Sequence, residues 1–164
     1  LIRVVFMEID IFDNGLTIEE CYTGNHRTAC RGIVKKGDLY LVTRLLKWDI
    51  TMFPGGGLEK DETLEECVKR EVLEETGIVV KVLSKNLSIN EYFIDSSWTN
   101  HYFICEFVED TGKNSLTDEE KELGLVVEWR DLDYLLDNFE NNYTKHSHGV
   151  NVHNREFLGL VNSL

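Results

Sequence analysis

The single proline of the chain, Pro54, is followed at once by Gly55, Gly56 and Gly57. Proline removes a backbone donor and fixes φ, and three glycines in a row offer no side chain to pack, so no regular element accommodates this run in its interior. Met52-Phe53-Pro54-Gly55-Gly56-Gly57 is therefore predicted to be a special loop. Beyond it, Thr63 to Thr76 is rich in glutamate and leucine and stops at Gly77, the residue best able to take the left-handed conformation that ends a helix. Asp61 is the expected N-cap. A loop that must bend sharply, with a helix starting just after it, limits what the rest of the chain can do.

The helix carries an inconsistency of phase. At about 100° per residue, Leu64, Cys67 and Val68 fall on the same arc as Glu71, Glu74 and Glu75. A stripe that begins apolar and packs on a sheet would carry three carboxylates toward the protein body, where ionised groups are costly unless paired or bound to a metal. Residues three and four apart lie on neighbouring turns, so Glu71, Glu74 and Glu75 can share one hard cation or a close pair. Oxygen ligands suit magnesium or manganese rather than zinc. Arg70, one turn from Glu66 and Glu74, is placed to orient a carboxylate. The competing reading is a solvated acidic helix face.

Around this centre the chain reads as strands with a few helices. Ala29 to Val34 and Leu39 to Thr43 flank the turn Lys36-Gly37-Asp38 and form a predicted hairpin. Leu1 to Phe12, Thr17 to Tyr22, Ile78 to Leu83, Leu87 to Phe93, His101 to Val108 and Val126 to Trp129 are further predicted strands. Asp131 to Phe139 and Arg155 to Val161 look helical. Nothing divides the 164 residues, so the expectation is one domain over 1–164, of α/β class, with α/β/α layers around a mixed sheet.

Composition excludes several function classes. A net charge of −13 repels polyanions and argues against a groove for long DNA or RNA, though a small phosphorylated ligand needs only a metal and a few local cations. No apolar run approaches the roughly 18 residues that span a bilayer. Cys21, Cys30, Cys67 and Cys105 are scattered, which suits free thiols in a reducing cytoplasm. Asn86-Leu87-Ser88 and Asn142-Tyr143-Thr144 match a glycosylation pattern that arises often by chance. His146, His148 and His153 read as an exposed polar loop rather than a metal site, and Trp48, Tyr92, Trp98 and Trp129 as core or rim aromatics, of which one could touch substrate.

Gly56, Glu62, Arg70-Glu71-Val72, Glu74-Glu75 and Gly77-Ile78 match every position of the pattern G-x5-E-x7-R-E-U-x-E-E-x-G-U, with U a bulky aliphatic residue. The chain thus resembles the Nudix hydrolases of MutT type, tightly over Gly56 to Ile78 and loosely over about a hundred residues, Phe53-Pro54-Gly55 included. The resemblance implies an α/β/α sandwich in which the box is a loop–helix–loop and Glu71, Glu74 and Glu75 bind Mg2+, or Mn2+ in its place. It implies hydrolysis of the diphosphate bond of a nucleoside diphosphate linked to a group X, with nucleoside triphosphates first in line and sugar nucleotides behind. The alternative is a Nudix-fold module that binds nucleotide without turnover. Glu71 and Glu74 are the expected catalytic glutamates, and among Glu119, Glu120 and Glu122 the last is the expected general base.

Further roles follow from the same resemblance. Arg44 is expected to hold substrate phosphate, and Gly56 to let the backbone approach it, although the glycines are structural first. Glu62 either reaches the metal or serves the helix entrance. Downstream prolines and a tyrosine that mark ADP-ribose, NADH and dinucleoside-polyphosphate branches are missing, since Pro54 is the only proline and Ile94, Asp95 and Ser96 stand where the tyrosine would. The expected partner is a small nucleotide, with neither membrane nor long nucleic acid, and the family admits a homodimer.

Overall fold

The turn at Lys36-Gly37-Asp38 is where the sheet divides in the computed structural model, which describes residues 7–21 and 24–164. Gly37 takes a φ of 60°, which closes a tight connection between β2 (His26–Lys36) and β3 (Leu39–Leu45). The two strands pair only at Lys35 with Tyr40 and Lys36 with Leu39, then part. β2 continues between β7 (Ser97–Asp110), which runs parallel to it, and the short β5 (Gly55–Gly57), which runs antiparallel. β3 turns instead to β4 (Ile50–Met52) and β8 (Leu125–Asp131). With β1 (Met7–Phe12) and β6 (Ile78–Tyr92) the mixed sheet runs β1-β6-β7-β2-β3-β4, with β5 and β8 joined at its side.

Two helical layers cover it. Helix α1 (Leu64–Thr76) buries Cys67, Val68 and Val72 against Cys30, Val34, Leu41 and Phe103. On the other face α3 (Leu132–Glu140) and α4 (Gly149–Val161) bury Leu135, Phe139 and Leu160 against Ile33, Val42, Leu87 and Tyr102. The period-two alternation of β2 is visible in this split, with Cys30 and Val34 on the α1 side and Ile33 on the other. Each fully buried aliphatic side chain contributes roughly 1.5–3 kcal/mol. A third cluster, Leu45, Ile50, Leu123 and Leu125, seats the short α2 (Asp118–Leu123). This is the expected α/β/α arrangement. Among the described residues no helix is long and apolar enough to cross a membrane.

The structure corrects several expected elements. Residues 1–6 and Tyr22 lie outside the described residues. Thr17 to Glu20, expected in a strand, instead winds into a 3-10 turn, because Thr17 and Glu20 satisfy each other's backbone in a reciprocal cap. Ile78 to Leu83 and Leu87 to Phe93 form one strand, carried through Ser84 to Asn86 by shifts of register. Helix α4 starts six residues before the expected Arg155, so His153 is not in an exposed loop. It is fully buried, and its Nε2 accepts the Thr51 N–H at 3.0 Å. His146 is half-buried against Trp48, and His148 is exposed at the head of the helix.

Helix α4 meets the sheet closely at Gly159, where a Cβ would stand 2.6 Å from Cε1 of the enclosed Tyr102 ring. Gly159→Val is expected to lower stability by roughly 1–3 kcal/mol through overpacking, read as the shift of the urea midpoint. An unchanged or raised midpoint would show that the ring yields at no cost.

Candidate active site

Helix α1 begins at Thr63 and not at Asp61. Thr63 Oγ1 accepts the Glu66 N–H at 3.2 Å and Glu66 Oε2 accepts the Thr63 N–H at 2.9 Å, a complete capping box. Asp61 sits in the preceding turn at a φ of 64°. Gly77 ends the helix at a φ of 75°, with its N–H donated to Leu73 O at 2.8 Å. These ends fix the rotation of the helix and hence the direction of its glutamates.

The apolar stripe does turn acidic. Glu75 is only 7% exposed, the Glu71 side chain is largely buried, and Glu74 is about half exposed. Burial pushes the Glu75 carboxyl up to about 8, against the pull of the Gly55 N–H and Arg31. Burial also raises Glu71, although Arg70 beside it favours the charged form.

The glycine loop lies directly over these carboxylates. The Gly55 N–H donates to Glu75 Oε2 at 3.0 Å, and a Cβ on Gly55 would collide with Cys30 O at 2.0 Å. A Cβ on Gly56 would stand 2.6 Å from Glu71 Oε2. The loop therefore needs glycine because the backbone itself forms one wall of a carboxylate cradle.

Arg70 binds the cradle together. Its Nε and Nη2 donate to the two oxygens of Glu62 at 2.7 and 3.0 Å, and its Nη1 donates to Glu71 at 2.8 Å and Glu74 at 3.1 Å. Nη2 also donates to Gly57 O at 3.0 Å. The hydrogen bonds from Arg70 hold Glu62 below the usual carboxylate range. Glu62 thus stands as a partner of Arg70, while Glu66 belongs to the cap.

A cleft of about 500 Å³ opens beside Gly56 and Gly57, lined by six glutamates, namely Glu59, Glu71, Glu74, Glu75, Glu119 and Glu120, against Arg27 and Arg70. Six carboxylates facing two guanidiniums leave a local excess of negative charge that a divalent cation would offset. Among the described residues no three ligands are already gathered around one point, since Arg70 holds Glu71 and Glu74. The donor set consists of hard carboxylate oxygens, and the cradle left open at Gly56 admits an ion beside Glu71; the residues fit magnesium or manganese.

Two expected site residues lie elsewhere. Glu122 is exposed and faces Lys47 Nζ at 3.5 Å, because the Thr117 cap of α2 turns Glu119 and Glu120 toward the cleft and Glu122 away from it. Arg44 is held by Asp49, donating from Nε at 2.9 Å and from Nη2 at 2.6 Å, with Glu128 behind it. That pairing raises its pKa and keeps it out of the cleft. Arg27, and not Arg44, is the arginine that lines the cleft with Arg70. Its position, two residues before Ala29 on the same strand face, was the available signal.

Comparison with known proteins agrees with this geometry. Residues 26–148 match the family model of the NUDIX domain. A Caenorhabditis elegans protein provisionally named nudix hydrolase 1 is 33% identical over 118 residues, which is 70% of this chain and 26% of that protein. An 8-oxo-dGTP diphosphatase of Buchnera aphidicola is 40% identical over 48 residues, 29% of this chain and 39% of that one. The chain therefore spans well under half the length of these curated relatives. A NUDIX hydrolase structure from Nitrosomonas europaea superposes with a TM-score of 0.67 at 16% identity, covering 85% of this chain and 88% of that one, a likeness of fold.

Because the Gly56 site abuts the carboxylate end of the Glu71 side chain and no backbone, Gly56→Ala is expected to leave the protein folded and to displace that carboxylate. Manganese affinity, titrated by electron paramagnetic resonance, should fall roughly 10–100-fold. Wild-type affinity in a folded variant would sever Glu71 from the cation.

Proposed function

The chain belongs to the NUDIX domain family, and on that premise we propose that it hydrolyses the diphosphate bond of a nucleoside diphosphate linked to a second group, with a divalent cation held by Glu71, Glu74 and Glu75. The observation that carries this reading is the buried Glu75 and the largely buried Glu71 side chain under the Gly55-Gly56 backbone, next to a cleft with too few cations for its carboxylates. Magnesium or manganese there would supply charge neutralisation on the diphosphate oxygens and acidify water.

The chain's own residues do the rest. Arg70 orients Glu62, Glu71 and Glu74 through one guanidinium, so these carboxylates move as a set. Arg27 at the cleft mouth binds a phosphate oxygen of the substrate. Glu120 lines the cleft and accepts the Thr117 N–H on Oε2 at 2.7 Å in the cap of α2; its other oxygen accepts the proton of the attacking water. Water adds to one phosphorus, the bridging P–O bond breaks, and the products are a nucleoside monophosphate and the phosphorylated second group. Nucleoside triphosphates are the first substrates to examine, as the name of the Buchnera relative suggests, with sugar nucleotides next. The four cysteines stand as free thiols, three of them buried, which fits a reducing compartment such as the cytoplasm.

A panel of nucleoside triphosphates and sugar nucleotides, assayed for nucleoside monophosphate release with magnesium, tests this. Turnover should vanish with chelator and return with the metal, and Glu71→Gln and Glu120→Gln should each lower kcat by about 100-fold or more. Glu122→Gln should behave as wild type. Absence of any cleavage, with nucleotide binding indifferent to Glu71→Gln, would favour a binding module without turnover.

A further inference from the structure

On the α4 face of the sheet, across Trp98 from the carboxylate cleft, lies a second cavity of about 180 Å³ whose floor is charged and almost wholly buried. Arg31 is 9% exposed, Glu91 and Arg155 5% each. Phe93, Trp98 and His148 also line it. Taking ionised groups out of water is expensive, and here most of that cost is offset by a network. Arg155 Nη1 donates to Glu91 Oε2 at 3.1 Å, and Arg155 Nε donates to Glu156 at 2.8 Å and Tyr102 Oη at 3.1 Å.

Two atoms are left over. The Asn100 amide bridges the floor, donating from Nδ2 to Glu91 Oε2 at 2.8 Å and accepting from Arg31 Nε at 3.1 Å. Arg31 Nη1 is taken by Phe53 O. Among the described residues, Glu91 Oε1 and Arg31 Nη2 have no protein partner, and neither is sealed from solvent. One amide thus sets an anionic acceptor next to a cationic donor at the bottom of a cavity with aromatic walls.

The cavity and the cleft each share a wall with one groove. Trp98 lines both the cavity and a groove beside Gly57 and Leu58, and Arg27 lines both that groove and the carboxylate cleft. The Arg27 guanidinium stacks over the Trp98 ring at 5.3 Å. Trp48, Tyr92 and Trp129 are engaged elsewhere, against His146, Phe12 and Phe107. The carboxylates, Arg27, Trp98 and the charged floor therefore follow one another in that order.

We propose that this cavity takes the base of the nucleotide substrate and selects an oxo-base, one that presents a ring N–H beside a carbonyl, through Glu91 Oε1 and Arg31 Nη2, with Trp98 stacked on the ring. The inference rests on the hydrolase reading for the identity of the ligand, and on this chain's residues for the selection. A carboxylate accepts from the acidic lactam N–H, and a guanidinium donates to a carbonyl oxygen better than to a ring nitrogen. Guanine, hypoxanthine and uracil present that edge, whereas adenine and cytosine present an amino group beside a ring nitrogen. A site that buries charged partners discriminates strongly, because a wrong base leaves them unpaired. Glu91 and Arg31 are thus specificity-determining, and Trp98 supplies stacking that every base can use.

The test is equilibrium binding of GMP, UMP, AMP and CMP to the full chain in the presence of chelator, measured by calorimetry. The better of GMP and UMP should bind at least about tenfold more tightly than AMP and CMP, and whichever it is identifies a purine or a pyrimidine substrate. Glu91→Gln should bring that ratio close to one. Trp98→Ala should weaken all four by about tenfold and leave the ratio intact. Equal affinity for all four bases in the wild type, or no binding to any of them, overturns the proposal without recourse to a variant. A base preference that survives Glu91→Gln in a folded protein, verified by its thermal melt, overturns the assignment as well. Because no turnover is required, a chain that selects oxo-bases yet hydrolyses nothing refutes the hydrolase reading alone.

Discussion

The backbone of the glycine loop is gripped from both faces of the sheet by buried carboxylates. Glu156, on α4, accepts the Phe53 N–H at 2.9 Å, and Glu75, on α1, accepts the Gly55 N–H at 3.0 Å. Two residues apart on one segment, these donors tie the loop to both helical layers. Pro54 between them has no N–H to offer and fixes the bend. The position of the loop relative to α1, and with it the cradle at Gly56, depends on both contacts.

The two carboxylates are unequally satisfied, and the inequality divides structure from chemistry. Glu156 has Arg155 and the Tyr102 hydroxyl on one oxygen and the loop on the other, so its buried charge is paired and hydrogen-bonded. Glu75 has one backbone donor and only a distant Arg31, with Glu71 and Glu120 adding repulsion. The fold spends its buried cation on the layer that anchors the loop. The layer that faces the cleft is left short of one, and Arg70, shared among three glutamates, does not make up the difference.

Most of the α1 side of this arrangement was legible in the sequence because it is local. Gly77, the change of character along the helix stripe and the proline–glycine run all act within a few residues, and the hairpin at Gly37 likewise. Even the true cap was there to be read, since Thr63 and Glu66 have the capping-box spacing that Asp61 lacks. The α4 side was not legible. His153 lies next to residues that read as a polar loop, and its burial comes from the Phe139 ring and from its bond to Thr51, more than a hundred positions away. Arg44 and Glu122 were misplaced for a related reason: a charged residue near a motif goes where its nearest opposite charge lies, and Asp49 and Lys47 come from turns whose geometry one sequence does not specify. Arg27 and Arg31 share a strand face by simple alternation, yet what they face belongs to β7 and α4.

The charge balance of the whole chain now has a spatial meaning. A net charge of −13 excludes long polyanions from the surface at large. Three arginines on the α4 face, Arg27, Arg31 and Arg155, are spent along the line from cleft to cavity, two of them buried where solvent screens them little. The carboxylate cleft at the other end repels phosphate until a cation is present. A nucleotide-sized ligand would meet attraction along that line, and its diphosphate would be accepted at the carboxylate end only together with a metal. An acidic protein can in this way bind a small anion tightly while remaining closed to a large one.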